Sequence, residues 1–236
     1  MLSLLLLAAQ ANDALVPVPR ADLGWKKRHY AMADRVREGN VGLVFVGDSI
    51  THAFGGEPDT GEGFNNRDRT AWEKHFAKRR PINLGISGDR TQHVLWRLDR
   101  YALERLNPKA SVVMIGTNNM GSNTAAQIAE GVAAICDMLK DRMPKSKILL
   151  LAIFPRDKGA SQLRAKVNET NGLLSVWSKA HGVTFVDIGK SFLDANGDIP
   201  ADVMPDGLHP NEKGYDIWVK AMEPSLAKLL GERPIL

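Results

Sequence analysis

Five short stretches of the chain are mostly apolar at consecutive positions: 41–47, 81–85, 111–116, 147–154 and 183–187. Strands buried on both faces need this pattern, whereas a strand with one wet face alternates apolar and polar residues. Between them, apolar residues recur at helical spacing and predict helices near 21–37, 67–79, 90–105, 124–142 and 161–180, with a last one from about 211 to 230. Strand and helix in regular alternation predict an α/β fold, a three-layer α/β/α sandwich built on a five-stranded parallel sheet. No repeat or low-complexity linker interrupts the pattern. Residues 21–236 are therefore expected to form a single domain behind a leader or N-terminal segment, residues 1–20.

Composition narrows the picture. A chain of 236 residues, 44% hydrophobic and 25% charged, can bury a substantial core. The net charge of +4 is mild, and the bases are interleaved with acids, as in Lys140-Asp141-Arg142. The short run Lys78-Arg79-Arg80 reads as a helix end, so no nucleic-acid partner is expected. The single cysteine, Cys136, excludes an internal disulfide and a cysteine-based zinc site, and its apolar helical setting predicts a buried thiol. The leucine-rich start followed by Ala9-Gln10-Ala11 fits a signal peptide that lacks its basic first region. Export to the periplasm or medium is expected from it; without a working leader the protein would be cytoplasmic. That run is too short to span a bilayer and no other stretch reaches about 18 apolar residues, so no stable membrane insertion is expected.

In parallel sheets, ligands bind beyond the carboxyl ends of the strands. Three loop signals fall there: Gly47-Asp48-Ser49-Ile50, Asn83-Leu84-Gly85-Ile86-Ser87-Gly88-Asp89 and Gly116-Thr117-Asn118-Asn119. A fourth, Asp206-Gly207-Leu208-His209-Pro210, precedes the last helix. A serine hydroxyl needs a base to take its proton. His209 is the candidate base for Ser49, with Asp206 placed to fold back on one ring nitrogen and fix the tautomer. A tetrahedral intermediate also needs donors at its oxyanion, and the amides of Ser49 and Gly85 with the side chain of Asn118 are the candidates. Each signal alone has a plain structural reading: a turn glycine, a cap, a helix start. Four in this order on one rim make a hydrolase site. His52 reads equally as cleft or helix start, His93 as a substrate neighbour or a packing residue, and His29, His75 and His181 as packing or surface residues. No His/Asp/Glu cluster has metal-ligand spacing, so neither metal nor cofactor is expected.

These motifs resemble those of the SGNH hydrolases, the GDSL lipase/esterase family, over roughly residues 40–230. Ser49, Gly85, Asn118 and His209 stand at the four name-giving positions, with Ile50 where the family name has leucine. The stretches 45–51, 88–98 and 206–210 are most similar to the branch of platelet-activating-factor acetylhydrolase catalytic subunits. The resemblance implies a flavodoxin-like sheet, a metal-free Ser–His–Asp triad and hydrolysis of carboxylic esters, often acetyl esters; it also leaves a homodimer open. Ile50, Thr117 and Leu208 flank the catalytic groups, and their moderate size predicts a shallow acyl pocket. Trp96, Met120, Met204 and the 55–63 loop are candidates for the alcohol side. The expected substrate is a small ester or an acetylated carbohydrate. The competing readings are a phospholipid acetylhydrolase and a catalytically silent glycan-binding module, which the intact Ser49 and His209 disfavour.

Overall fold

A computed structural model describes residues 11–58, 69–157, 159 and 161–235. Strands β1 (Leu43–Gly47), β2 (Pro81–Gly85), β3 (Ala110–Met114), β4 (Lys147–Leu151) and β5 (Thr184–Val186) form one parallel sheet in the order β2-β1-β3-β4-β5. The helices are α1 (Leu23–Glu38), α2 (Ser49–His52), α3 (Arg69–Phe76), α4 (Thr91–Arg100), α5 (Ala125–Arg142), α6 (Gln162–Ala180) and α7 (Glu212–Leu230). The strand order reverses at β1, which places a crevice between the ends of β1 and β3, where such sheets bind ligands.

Successive side chains of a strand point to opposite faces, and the core divides accordingly. Leu43 and Phe45 of β1 pack with Phe54, Trp72, Tyr215 and Trp218, under α3 and α7. Val44 and Val46 pack with Trp25, Leu98, Val132 and Val167, under α1, α4, α5 and α6. All five residues of β1 and of β3 are buried, as the consecutive apolar runs require. Each fully buried large side chain contributes roughly 1.5–3 kcal/mol, so the two clusters are the main source of stability.

Two elements are shorter than their sequence patterns. The run 147–154 leaves the ladder after Leu151, because the Asn171 side chain takes the place of a neighbouring strand. It accepts from the Ile153 amide (2.8 Å) and donates to the Ile153 carbonyl (2.9 Å). The helix expected over 90–105 stops at Arg100. Tyr101 turns extended and is buried, its carbonyl taken by Arg142 (2.8 Å), and a separate turn of 3-10 helix covers Leu103–Arg105.

One sheet edge is covered and the other is short. On the outer side of β2, the Asn83 amide donates to the Glu57 carbonyl (2.9 Å), and Arg28 donates to the carbonyl of Gly85 (2.8 Å). On the other side, β5 has only three residues. At the C-terminus, buried Arg79 pairs with buried Glu223 (2.5 Å) and reaches Glu232, while Glu223 accepts the Ile235 amide (2.8 Å) and His75 donates to the Ile235 carbonyl (2.8 Å). Arg79 of the basic run thus holds the tail. Residues 12–20, grouped with the leader by sequence pattern, run along the domain: Thr91 Oγ1 donates to the Ala14 carbonyl (2.9 Å) and the Val18 amide to that of Gln92 (3.3 Å).

Candidate active site

β1 ends at Gly47, where a side chain is impossible: a Cβ would lie 2.1 Å from Thr51 Oγ1 and 2.5 Å from the Met114 carbonyl. The next residue, Asp48, caps α2 by accepting from the Ile50 amide (3.1 Å), and Ser49 begins that helix. His209 arrives from the loop before α7, which is capped by Asn211. The Asp206 side chain organises this loop, with Oδ1 accepting the amides of Leu208 (3.1 Å) and His209 (2.7 Å). Its Oδ2 lies 2.6 Å from His209 Nδ1, and His209 Nε2 lies 2.9 Å from Ser49 Oγ. Burial works against the charge on Asp206, but the His209 and Leu208 amides and the His209 ring outweigh it and hold the carboxyl below its ordinary value. An ionised carboxylate only accepts, so Nδ1 carries the ring proton and Nε2 is the acceptor facing Ser49. The structure brings together Ser49, His209 and Asp206 in one hydrogen-bonded line.

Asn118 lies in the turn after β3, and its Nδ2 donates to the Asp89 carbonyl (2.8 Å), leaving the second amide proton for another acceptor. Asn119 is a buried structural residue whose side chain accepts the Thr91 amide (3.0 Å). The Ser49 amide, at the first position of α2, has no partner within the helix.

Gly85 does not fit the oxyanion role expected of it. Its amide faces the outer edge of the sheet and donates to Asn83 Oδ1 (2.9 Å). Glycine is needed there for another reason: a Cβ would lie 2.5 Å from the His52 nitrogen, so a side chain would push α2 off the sheet. In the following loop the Ile86 amide goes to Gly47 O, that of Ser87 to His52 Nδ1, that of Asp89 to Ile86 O and that of Arg90 to His93 Nδ1. Only the amide of Gly88, an exposed residue, lacks a partner among the described residues. Sequence reasoning missed it because two glycines stand three residues apart; strand parity separates them.

Ile50 and Thr117 are buried beside these groups, and Leu208 is half-buried. Tyr215 donates to the Ile50 carbonyl (2.8 Å), and Arg156 donates to Thr117 O (2.9 Å) and Oγ1 (3.1 Å), so two of the three expected acyl-pocket residues are held by hydrogen bonds. The expected alcohol-side residues are placed otherwise. Met120 and Met204 are buried in the two cores, and Trp96 packs against Trp25 and beneath Arg100. Of the 55–63 loop, residues 59–63 lie outside the described residues. His52 closes α2 and binds Ser87; His93 caps α4, and burial with the charges of Arg20, Arg90 and Arg97 pushes it down to about 4. His29 is stacked between Trp25 and Tyr101. Cys136 is buried and its thiol pushed up by burial.

Sequence reasoning also missed the polar network beneath the site. Asp89 is fully buried, with its carboxylate accepting Trp25 Nε1 (2.7 Å) and Arg97 Nε (2.8 Å), while Arg97 also donates to the Gly47 carbonyl (3.1 Å). Arg97 thereby ties the loop after β2 to the turn that carries Ser49. Asp48 is buried too: its Oδ2 has no hydrogen-bond partner among the described residues, and burial, aided by the charge of Asp89, raises its carboxyl to about 7. At pH below that value Asp48 is protonated and adds no negative charge beside Ser49.

Residues 45–217 match the GDSL-like Lipase/Acylhydrolase family. The chain belongs to this family. As a GDSL-like acylhydrolase it is a carboxylic ester hydrolase. It is 30% identical over 231 residues to platelet-activating factor acetylhydrolase IB subunit alpha1 of Homo sapiens, covering 96% of this chain and 94% of that one. With the alpha2 subunit of Rattus norvegicus it shares 32% over 229 residues, covering 95% and 94%. Among solved structures, a putative acylhydrolase from Bacteroides fragilis superposes with a TM-score of 0.69 at 19% identity, over 89% of this chain and all of that one. An acetylxylan esterase from Geobacillus stearothermophilus gives 0.63 at 18% identity, over 83% and 96%. These two share the acylhydrolase's fold. Among the described residues, no group of three His, Cys, Asp or Glu side chains could hold a metal, and no helix is long and apolar enough to cross a membrane.

Proposed function

We propose that this acylhydrolase is a serine esterase for short, acetyl-type esters, acting through Ser49, His209 and Asp206. The observation that carries the reading is the line of hydrogen bonds from Ser49 Oγ to His209 Nε2 (2.9 Å) and from His209 Nδ1 to Asp206 (2.6 Å), at the carboxyl ends of the strands. Ser49 Oγ attacks the ester carbonyl while His209 Nε2 takes its proton. Asp206 stabilises the imidazolium that forms. The carbonyl oxygen, now negative, is met by the Ser49 amide, the free proton of Asn118 Nδ2 and the Gly88 amide, which takes the role first given to Gly85. His209 returns the proton to the leaving alcohol, and water then repeats the sequence on the acyl-enzyme to release the acid.

Ile50, Thr117 and Leu208 bound the acyl side. Ile50 and Thr117 are buried, and Arg156 holds the Thr117 hydroxyl, so the pocket has little room to deepen for a long chain. On the alcohol side we favour an acetylated carbohydrate, in keeping with an exported enzyme. The second reading, a phospholipid acetyl ester, draws on the names of the platelet-activating factor relatives. Initial rates on p-nitrophenyl esters from acetyl to octanoyl test the acyl side, with Ser49→Ala as control. A steep fall beyond butyryl, abolished by the substitution, is expected; faster turnover of octanoyl than acetyl would refute the shallow pocket. Acetate release from acetylated xylan, set against release from an acetyl phospholipid, decides the alcohol.

A further inference from the structure

The loop after β2 turns tightly at Ile86–Asp89, closed by the Asp89 amide donating to the Ile86 carbonyl (3.1 Å). Gly88, third in this turn, has φ +80°, the signature of a type II turn. Type I and type II turns differ in the orientation of the central peptide unit, here the one joining Ser87 to Gly88. That unit carries both the Ser87 carbonyl and the Gly88 amide. If it rotates, the amide leaves the side on which the oxyanion forms.

One side chain grips this unit. Arg20 Nη1 donates to the Ser87 carbonyl (2.5 Å). Its Nη2 is held by Asp22 (3.0 Å), and Nη1 stands 3.6 Å from the buried carboxylate of Asp89. The guanidinium lies directly over Gly88, since a Cβ there would be 2.8 Å from Nη1. Arg20 comes from the N-terminal arm, which is itself anchored: the Asn12 side chain donates to Gln127 O (3.1 Å) and Glu130 Oε2 (2.7 Å). A trans peptide holds its C=O and N–H antiparallel, so fixing the carbonyl oxygen fixes the direction of the amide. A charged donor on the carbonyl also polarises the unit and strengthens its N–H as a donor.

We propose that Arg20 is a positioning residue of the esterase: it latches the Ser87–Gly88 peptide so that the Gly88 amide is aimed at the oxyanion. This rests on the Ser49-centred reading above. The latch acts on the transition state and leaves the substrate's ground-state contacts alone, so its loss should appear in kcat and not in KM.

The test compares the full chain with Arg20→Met, Arg20→Lys and Ser49→Ala. The readouts are kcat and KM on p-nitrophenyl acetate and the inhibition constant of ethylboronic acid, which adds reversibly to a serine oxygen as a tetrahedral adduct. Thermal melts identify any variant that fails to fold. Arg20→Met should lower kcat ten- to a hundredfold, leave KM within twofold and weaken the boronate by a factor similar to the kcat loss. Arg20→Lys, which keeps a cationic donor, should recover most of both. A kcat within twofold of the native value for a folded Arg20→Met, with Ser49→Ala inactive, would overturn the latch alone. So would a kcat loss with unchanged boronate affinity, or an Arg20→Lys protein as impaired as Arg20→Met. Undiminished turnover by Ser49→Ala would instead overturn the underlying reading, and the latch with it.

Discussion

Replacing Asp48 by asparagine should change how the fold responds to pH. The carboxyl is fully buried, accepts one amide at Oδ1 and is raised from 3.8 to about 7, chiefly by burial. A raised folded-state value means that the native protein holds a proton that the unfolded chain releases. The associated stability is present below pH 3.8 and is lost as pH rises through about 7. Within that window one proton per molecule gives a slope of about 1.4 kcal/mol per pH unit. Integrated from pH 5 to pH 8, the native protein should lose about 2–3 kcal/mol that an Asp48→Asn protein does not lose. Asparagine keeps an oxygen for the Ile50 amide and cannot ionise. Urea unfolding at pH 5, 6, 7 and 8, followed by tryptophan fluorescence, measures the difference between the two proteins, from which the titrations they share cancel. The native protein should fall relative to the variant by the stated amount, mostly between pH 5 and 7. Parallel stability profiles would refute the reasoning, because they would mean that Asp48 is ionised in the fold as it is in the unfolded chain.

Asn118→Ala should lower kcat on p-nitrophenyl acetate about 10²–10³-fold with little change in KM, as expected for a donor that acts on the oxyanion. Asp206→Asn should cost on the order of 10²–10⁴ in kcat, because an amide NH₂ placed at Oδ2 opposes the Nδ1 proton and favours the wrong tautomer; steady-state rates on the same ester check this. Arg79→Met leaves Glu223 buried and unpaired, and should destabilise the fold by roughly 3–5 kcal/mol in urea titrations while kcat of the remaining folded enzyme stays unchanged.

The sheet was legible because its strands are buried on both faces, which makes the runs at 41–47 and 111–116 nearly continuous in apolar residues. The pattern overran where a side chain intervened. Nothing in 147–154 says that Asn171, on a distant helix, bonds both backbone groups of Ile153 and ends the ladder. The helix at 90–105 stops because Tyr101 is buried in an extended conformation, a packing decision invisible to periodicity. In the site, Ser49, Asp206 and His209 lie in short motifs whose chemistry is local, so they could be read directly. Gly85 is legible as a tight place, but its sequence does not say that its amide turns to Asn83 Oδ1 and away from the site. The contribution of Arg20 had no signal at all, since the arm that carries it has neither helical nor strand periodicity.

The covered edge of β2 and the shortness of β5 have a consequence for handling the protein. An unpaired strand edge is a template on which further chains can add, and it is where native proteins begin to form fibrils. Here the outward groups of Asn83 and Gly85 are occupied by Glu57, Arg28 and the Asn83 side chain, and β5 offers only three residues. Concentrated native protein therefore has little on which to stack. On the β2 side, edge-on assembly would require the segment around Glu57 to lift from the strand first.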